Sequence, residues 1–164
     1  EKVDTPIPFS FKLTQLLVRL PGVAKSMQTK ALANMDQMVS RSIPDPVMRA
    51  RTMNDPEAGP LLRELMESTC DGMDQRMPGT SNDIAVTRTT DYPLEKIDVP
   101  VLIVHGTADK MVPYDRHAKS LHSRIPGAEL LTIENGEHVS IFTHRKEVKA
   151  RVHDFVQGIY GRQC

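Results

Sequence analysis

The sequence lacks an excess of charge of either sign. Its 21 Lys and Arg residues balance 21 Asp and Glu residues, so the formal net charge is zero. A chain with this balance has no broad electrostatic footprint for nucleic acid or for an anionic membrane surface, and we expect neither as a partner. With 39% hydrophobic and 26% charged residues, the composition is that of a globular domain.

Long apolar runs are also missing. No stretch approaches the roughly 20 apolar residues that a membrane-spanning helix needs, and residues 1–4 lack the apolar core of a signal peptide. The chain begins with Glu1 rather than Met. We therefore interpret it as a piece of a longer protein, and its compartment stays open, with the cytoplasm as the working expectation.

Cysteine is scarce and metal-ligand patterns are lacking. Cys70 and Cys164 form neither a close ligand pair nor a disulfide framework. Two free or buried thiols are expected, and a single bridge is the alternative. His117 and His122 lie five positions apart on a predicted helix, a poor spacing for metal ligands. We expect them to be solvent-exposed, and we expect no metal or cofactor.

The first part of the chain has helical periodicity. Apolar spacing predicts a helix over residues 9–20, a second from 23 to about 40, a short one over 47–53, and another that includes residues 61–70. Eight of the nine methionines precede residue 100. They indicate either an adaptable core or the lining of a lipophilic pocket.

The periodicity is lost between Asp71 and Asp98. Gly72, Pro78-Gly79 and a run of small polar residues interrupt it. Clusters of this kind are typical of loops. We therefore predict a long irregular connection here.

After residue 98 the pattern alternates between strand and helix. An apolar stretch over 99–104 predicts a strand buried on both faces of a parallel sheet. A helix over 114–125, a strand over 128–133 and a helix over 143–159 complete a βαβα unit. An average sheet has about 5 to 6 strands, so this unit is interpreted as the end of a larger fold.

Two candidate catalytic residues follow the two strands. Asp109 comes after the first and His138 after the second. Adjacent parallel strands place such loops at one sheet edge, so the two side chains are predicted to meet there. A carboxylate that orients a His supplies two members of a nucleophilic triad. Taken alone, each would be a turn Asp or a surface His, and His105 is expected to be a packed structural residue.

Three motifs carry a family resemblance. The string Val-Pro-Val-Leu-Ile-Val-His-Gly-Thr-Ala-Asp-Lys-Met-Val-Pro at 99–113, then Ile-Pro-Gly-Ala-Glu-Leu-Leu at 125–131, then Gly-Glu-His at 136–138, resemble the C-terminal half of an α/β-hydrolase-fold enzyme. The resemblance implies an α/β fold in which a mostly helical cap precedes two parallel strands with flanking helices. It implies a cap over 1–80, a connection over 81–98 and a core over 99–164, with Asp109 as triad acid and His138 as base.

The nucleophile is missing from the pattern. No Gly-x-Ser-x-Gly elbow occurs in the chain, Ser81 lacks its context, and Glu137 stands where the family more often has a small residue. By resemblance, the nucleophile lies on an upstream segment, and this chain alone is inactive. The implied function is hydrolysis of an ester or a similar small apolar substrate.

Two alternatives stay open. One is epoxide, carbon–halogen or carbon–carbon bond hydrolysis on the same fold, and the other is a non-catalytic hydrolase-like binding protein. Because a two-stranded parallel sheet exposes an edge, association with the missing N-terminal half, or self-association, is also expected.

Overall fold

A computed structural model describes residues 9–161 of the chain. Its elements are helices, one turn of 3₁₀ helix at Leu94–Lys96, and two strands. In chain order they are α1 Phe9–Leu17, α2 Val23–Ala33, α3 Met35–Ser42, α4 Pro46–Asn54, α5 Ala58–Cys70, α6 Met73–Thr89, β1 Leu102–Gly106, α7 Tyr114–Arg124, β2 Glu129–Ile133, α8 Ser140–Thr143 and α9 Arg145–Tyr160.

The chain forms two compact units. One comprises residues up to 38 together with 63–92, and the other comprises 39–62 together with the chain from residue 93 onward. The first unit is helical and buries Val18, Met66 and Met77. The predicted cap over residues 1–80 has different limits from these units, and its role as a cap remains a prediction.

The predicted helix over 23–40 is divided in two. Helix α2 ends at Ala33, where Asn34 leaves helical geometry with φ −113°. The Asn34 side-chain amide donates to the Lys30 carbonyl at 2.7 Å. Asn competes for backbone hydrogen bonds in this way, and a break between α2 and α3 results.

The prediction of an irregular connection after Asp71 was wrong over most of its length, because α6 occupies residues 73–89 and contains Pro78. Its hydroxyl side chains donate back to backbone carbonyls: Thr80 to Arg76, Ser81 to Met77, Thr87 to Asp83 and Thr89 to Ala85. The Pro-Gly and Ser/Thr clusters therefore lie within a helix rather than a loop.

The predicted βαβα unit is confirmed in the second compact unit. Strands β1 and β2 pair in parallel, with Leu102 opposite Glu129 and Gly106 opposite Ile133. Helix α7 connects them and packs against β1, and α9 also contacts β1. Parallel strands require a crossover of this kind.

Burial of β1 differs from the expectation of a strand covered on both faces. Residues 102–105 are half-buried and Gly106 is buried. In the part of the chain that the structure describes, the sheet contains β1 and β2 alone, so β1 has a partner on one edge. Ala118, Ile125 and Ile133 form the local core, exposed by 0%, 6% and 1%.

A polar clamp joins helix α4 and the following turn to the junction of α8 and α9. Arg51 donates to the Thr143 carbonyl at 2.9 Å. The Arg145 guanidinium donates to Asp55 at 3.1 Å and to Glu57 at 2.5 Å. These residues belong to the same compact unit, so the clamp anchors α4 beside the chain that follows His138.

Some predictions concern residues outside the described range. Cys164 and the first eight residues are among them, whereas Cys70 is a half-buried free thiol whose sulfur lies 3.9 Å from that of Met38. Among residues 9–161, no helix combines the length and apolar character needed to cross a bilayer.

Candidate active site

Asp109 and His138 lie together beyond the carboxyl ends of the two strands. Strand β1 ends at Gly106 and β2 at Ile133, and each residue follows its strand by a few positions. The His138 Nδ1 lies 2.9 Å from Asp109 Oδ2. The structure therefore brings the two predicted site residues within direct hydrogen-bonding distance.

Backbone amides hold the Asp109 carboxylate from its other side. The N–H groups of Met111 and Val112 each donate to Oδ1 at 2.9 Å, and the side chain is only 4% exposed. Burial opposes ionisation, but the hydrogen bonds from Val112, His138 and Met111 outweigh it and keep the pKa of Asp109 below its usual value. Asp109 is therefore an anion at neutral pH, with both oxygens engaged.

This carboxylate determines the His138 tautomer. An ionised carboxylate can only accept hydrogen bonds, so the proton of a neutral His138 ring belongs on Nδ1. The opposite nitrogen, Nε2, then carries the lone pair, and it makes no hydrogen bond within residues 9–161. The His138 side chain is 45% exposed. The ring therefore presents an oriented, accessible base.

Two glycines let the site loops approach each other. A Cβ on Gly106 would lie 2.1 Å from the Gly136 carbonyl oxygen. That same oxygen accepts the Ala108 N–H at 2.9 Å. A Cβ on Gly136 would lie 2.7 Å from the Ile133 side chain. The sequence alone does not show this crossing of backbones, which only the paired strands produce.

His105 lies near the pair without a hydrogen bond to it. Its Nε2 is 3.9 Å from Asp109 Oδ2, while its Nδ1 lies 2.9 Å from the Gly106 carbonyl oxygen. The ring meets Tyr114 edge-on at 5.8 Å, and the Tyr114 hydroxyl bonds Thr132 at 2.6 Å. These contacts fit the packed role predicted for His105.

The other residues considered in the sequence lie outside the contact between Asp109 and His138. His117 is half-buried, contrary to expectation, and His122 is exposed. The Ser81 hydroxyl donates to the Met77 carbonyl and accepts from Gln15 at 2.8 Å, so it is engaged within its own helical unit. Across residues 9–161, no three His, Cys, Asp or Glu side chains are grouped as ligands for a metal ion.

The sequence itself matches a known family over more than half of its length. The family model described as TAP-like protein, an α/β-hydrolase group, matches residues 55–158. This chain belongs to that family. The match includes both strands and both residues of the pair.

Curated relatives match a shorter stretch of the chain, about 40% of its length. A pimeloyl-[acyl-carrier protein] methyl ester esterase of Neisseria meningitidis is 39% identical over 66 residues, which are 40% of this chain and 21% of that protein. A protein of Synechocystis, described as a putative non-heme chloroperoxidase, is 39% identical over 64 residues, which are 39% of this chain and 23% of that protein.

Solved structures share the fold over a longer range. An α/β hydrolase fold protein from Nakamurella multipartita aligns with 94% of this chain and 56% of its own, with a TM-score of 0.62 and 21% identity. A bromoperoxidase from Bacillus anthracis aligns with 84% of this chain and 49% of its own, with a TM-score of 0.50 and 21% identity. The chain thus spans about half of each solved structure and forms part of an α/β-hydrolase fold.

Proposed function

We propose that this family member is a hydrolase of esters or similarly activated small apolar substrates, with Asp109 as triad acid and His138 as general base. The observation that carries the proposal is the 2.9 Å contact between His138 Nδ1 and Asp109 Oδ2. The esterase among the relatives supports an ester as the substrate class.

The proposed chemistry gives the two nitrogens of the imidazole ring different roles. Nδ1–H stays bonded to Asp109, while Nε2 takes the proton from a nucleophile as it attacks the substrate carbonyl. The buried carboxylate then stabilises the imidazolium that forms. His138 subsequently returns the proton to the leaving group. Water then attacks the acylated nucleophile and gives its proton to Nε2, and the acid leaves as the nucleophile regains that proton. This mechanism uses no cofactor.

The nucleophile is proposed to belong to a segment outside these 164 residues, which makes the chain inactive alone. The free edge of β1 is the proposed contact for that segment, or for a second copy. The backbone groups of Val101 and Thr107 bond β2 along one edge of β1. Because successive residues of a strand direct their backbone groups to opposite edges, those of Leu102 and Val104 point to the other edge. Residues 1–80 are proposed to act as the helical cap.

The test uses the protein with its upstream sequence restored. Hydrolysis of a short-chain aryl ester is measured for His138→Ala and Asp109→Asn, with the exposed His122→Ala as control. For serine-type triads, loss of the acid by an Asp-to-Asn change lowers turnover by about 10⁴-fold. We expect a loss of this order in kcat for Asp109→Asn and a larger one, about 10⁶-fold, for His138→Ala, with little change in KM, and near-parental activity for His122→Ala.

Three results would change the proposal. Near-parental kcat in both site variants would show that the pair is not catalytic. A parent protein that cleaved no ester but opened an epoxide or released halide would retain the pair and replace the substrate class. No turnover of any of these substrates would favour a binding protein.

A further inference from the structure

We propose that Thr107 is a positioning residue that joins the Asp109 loop to the His138 loop. Its hydroxyl accepts a hydrogen bond from the Asn135 backbone N–H at 2.8 Å, across 28 positions of sequence. The inference rests on the proposed function, in which Asp109 orients His138. Thr107 touches neither reacting group; its shorter bond is to the Asn135 backbone, and the same hydroxyl donates to the Glu134 carboxylate at 3.5 Å.

The turn that Thr107 holds is locally strained. Gly136 N–H donates to the Ile133 carbonyl at 3.0 Å, which closes a four-residue turn with Asn135 in third place. Asn135 has φ 58° and is the only non-glycine with positive φ within residues 9–161. A side chain makes this conformation unfavourable, so a bond to the Asn135 N–H stabilises the turn in this form.

The same turn determines where His138 lies. Only Gly136 and Glu137 separate Asn135 from His138. Helix α8 begins two residues after His138, and the N–H of its first residue, Ser140, donates to the Glu137 carbonyl at 2.9 Å. On the other side, Thr107 is two residues from Asp109 and its own N–H bonds the Ile133 carbonyl at 3.0 Å. The Thr107 hydroxyl thus ties the two loops in addition to the bond between Asp109 and His138.

The hydroxyl function can be separated from the shape of the side chain. Thr107→Val is isosteric and leaves the backbone bond of residue 107 in place, whereas Thr107→Ser keeps the hydroxyl. Asn135→Gly removes the strain, because glycine adopts positive φ at no steric cost. The double variant Thr107→Val/Asn135→Gly should therefore recover part of what Thr107→Val loses.

The readout is the tautomer of His138 in this chain. At alkaline pH, where the ring is neutral, ¹⁵N chemical shifts give the ratio of the Nδ1–H form to the Nε2–H form. The wild type should be mainly Nδ1–H. Loss of one net hydrogen bond corresponds to about a fivefold fall in that ratio for Thr107→Val. Thr107→Ser should keep the wild-type ratio and the double variant should lie between them.

The outcomes separate the inference from the proposed function. An unchanged ratio in Thr107→Val, with a wild type that is mainly Nδ1–H, would overturn the role of Thr107 and leave the pair intact. A wild type that is mainly Nε2–H would remove the pair, and with it both proposals. If Thr107→Val does not fold, the double variant is measured against Asn135→Gly, and equal ratios would overturn the inference.

Discussion

Replacing Gly106 by Ala tests the close crossing of the two site loops. The added Cβ would lie 2.1 Å from the Gly136 oxygen, 2.4 Å from its carbonyl carbon and 2.9 Å from its Cα. All three atoms are backbone, so no side chain can rotate away. The Gly136 carbonyl also accepts the Ala108 N–H, and a shift that relieves the clash weakens that bond.

The size of the effect follows from the kind of contact. Overpacking a well-packed site costs about 1–3 kcal/mol, and we expect the upper end, about 3 kcal/mol, because the clash is with rigid backbone. In a chain of this size, 1 kcal/mol corresponds to about 2–4 °C in the unfolding midpoint. The expected fall is therefore about 6–12 °C, measured by circular dichroism during heating.

A second glycine provides the matched control. Gly79 lies in helix α6, and a Cβ there would meet nothing within 4 Å. Gly79→Ala should raise stability by about 0.5–1 kcal/mol, because alanine is the better helix former. Opposite signs for the same chemical change are the expected result. An unfolding midpoint for Gly106→Ala at or above the wild-type value would refute the argument.

Two further predictions concern stability. Leu62 is 0% exposed whereas its neighbour Leu61 is 54% exposed. In urea unfolding, Leu62→Ala should lower the free energy of unfolding by about 2–5 kcal/mol, and Leu61→Ala should change it by no more than about 0.5 kcal/mol. Equal losses would contradict the described packing. The N–H groups of Ala58 and Glu57 and the Arg145 guanidinium lower the pKa of Asp55 from 3.8 to about 2. A folded-state pKa below the ordinary value contributes stability that is complete above 3.8 and is lost as pH falls toward 2, so the difference in unfolding midpoint between wild type and Asp55→Asn should shrink across that window. A difference that stayed constant would exclude Asp55 as its source.

The sequence predicted that Asp109 and His138 lie close together because the determinants of this proximity are local. Asp109 and His138 each follow an apolar strand by a few residues, and a parallel pair with one crossover helix places both loops at the same edge. Neither step requires knowledge of distant contacts. The βαβα order could therefore be inferred from periodicity alone.

Other features depend on contacts that periodicity does not contain. Pro78-Gly79 has turn chemistry, yet the surrounding chain is helical and nearby hydroxyls bond its carbonyls. The need for glycine at 106 arises from a backbone 30 residues away that arrives only when the strands pair. The Thr107 hydroxyl finds its partner by the same pairing. The sequence pattern did not reveal these features because each depends on contacts that form only in the folded chain.

The polar clamp between α4 and the junction of α8 and α9 has a consequence for the order of folding. Arg145 and Asp55 are 90 positions apart in the chain, and Arg51 and Thr143 are 92 apart, whereas paired residues of β1 and β2 are separated only by the α7 crossover. Closing the longer loop costs more chain entropy before any contact offsets it. We therefore expect strand pairing around α7 to precede the attachment of α4. In that order, the chain beyond His138 would acquire its final anchor in the later step.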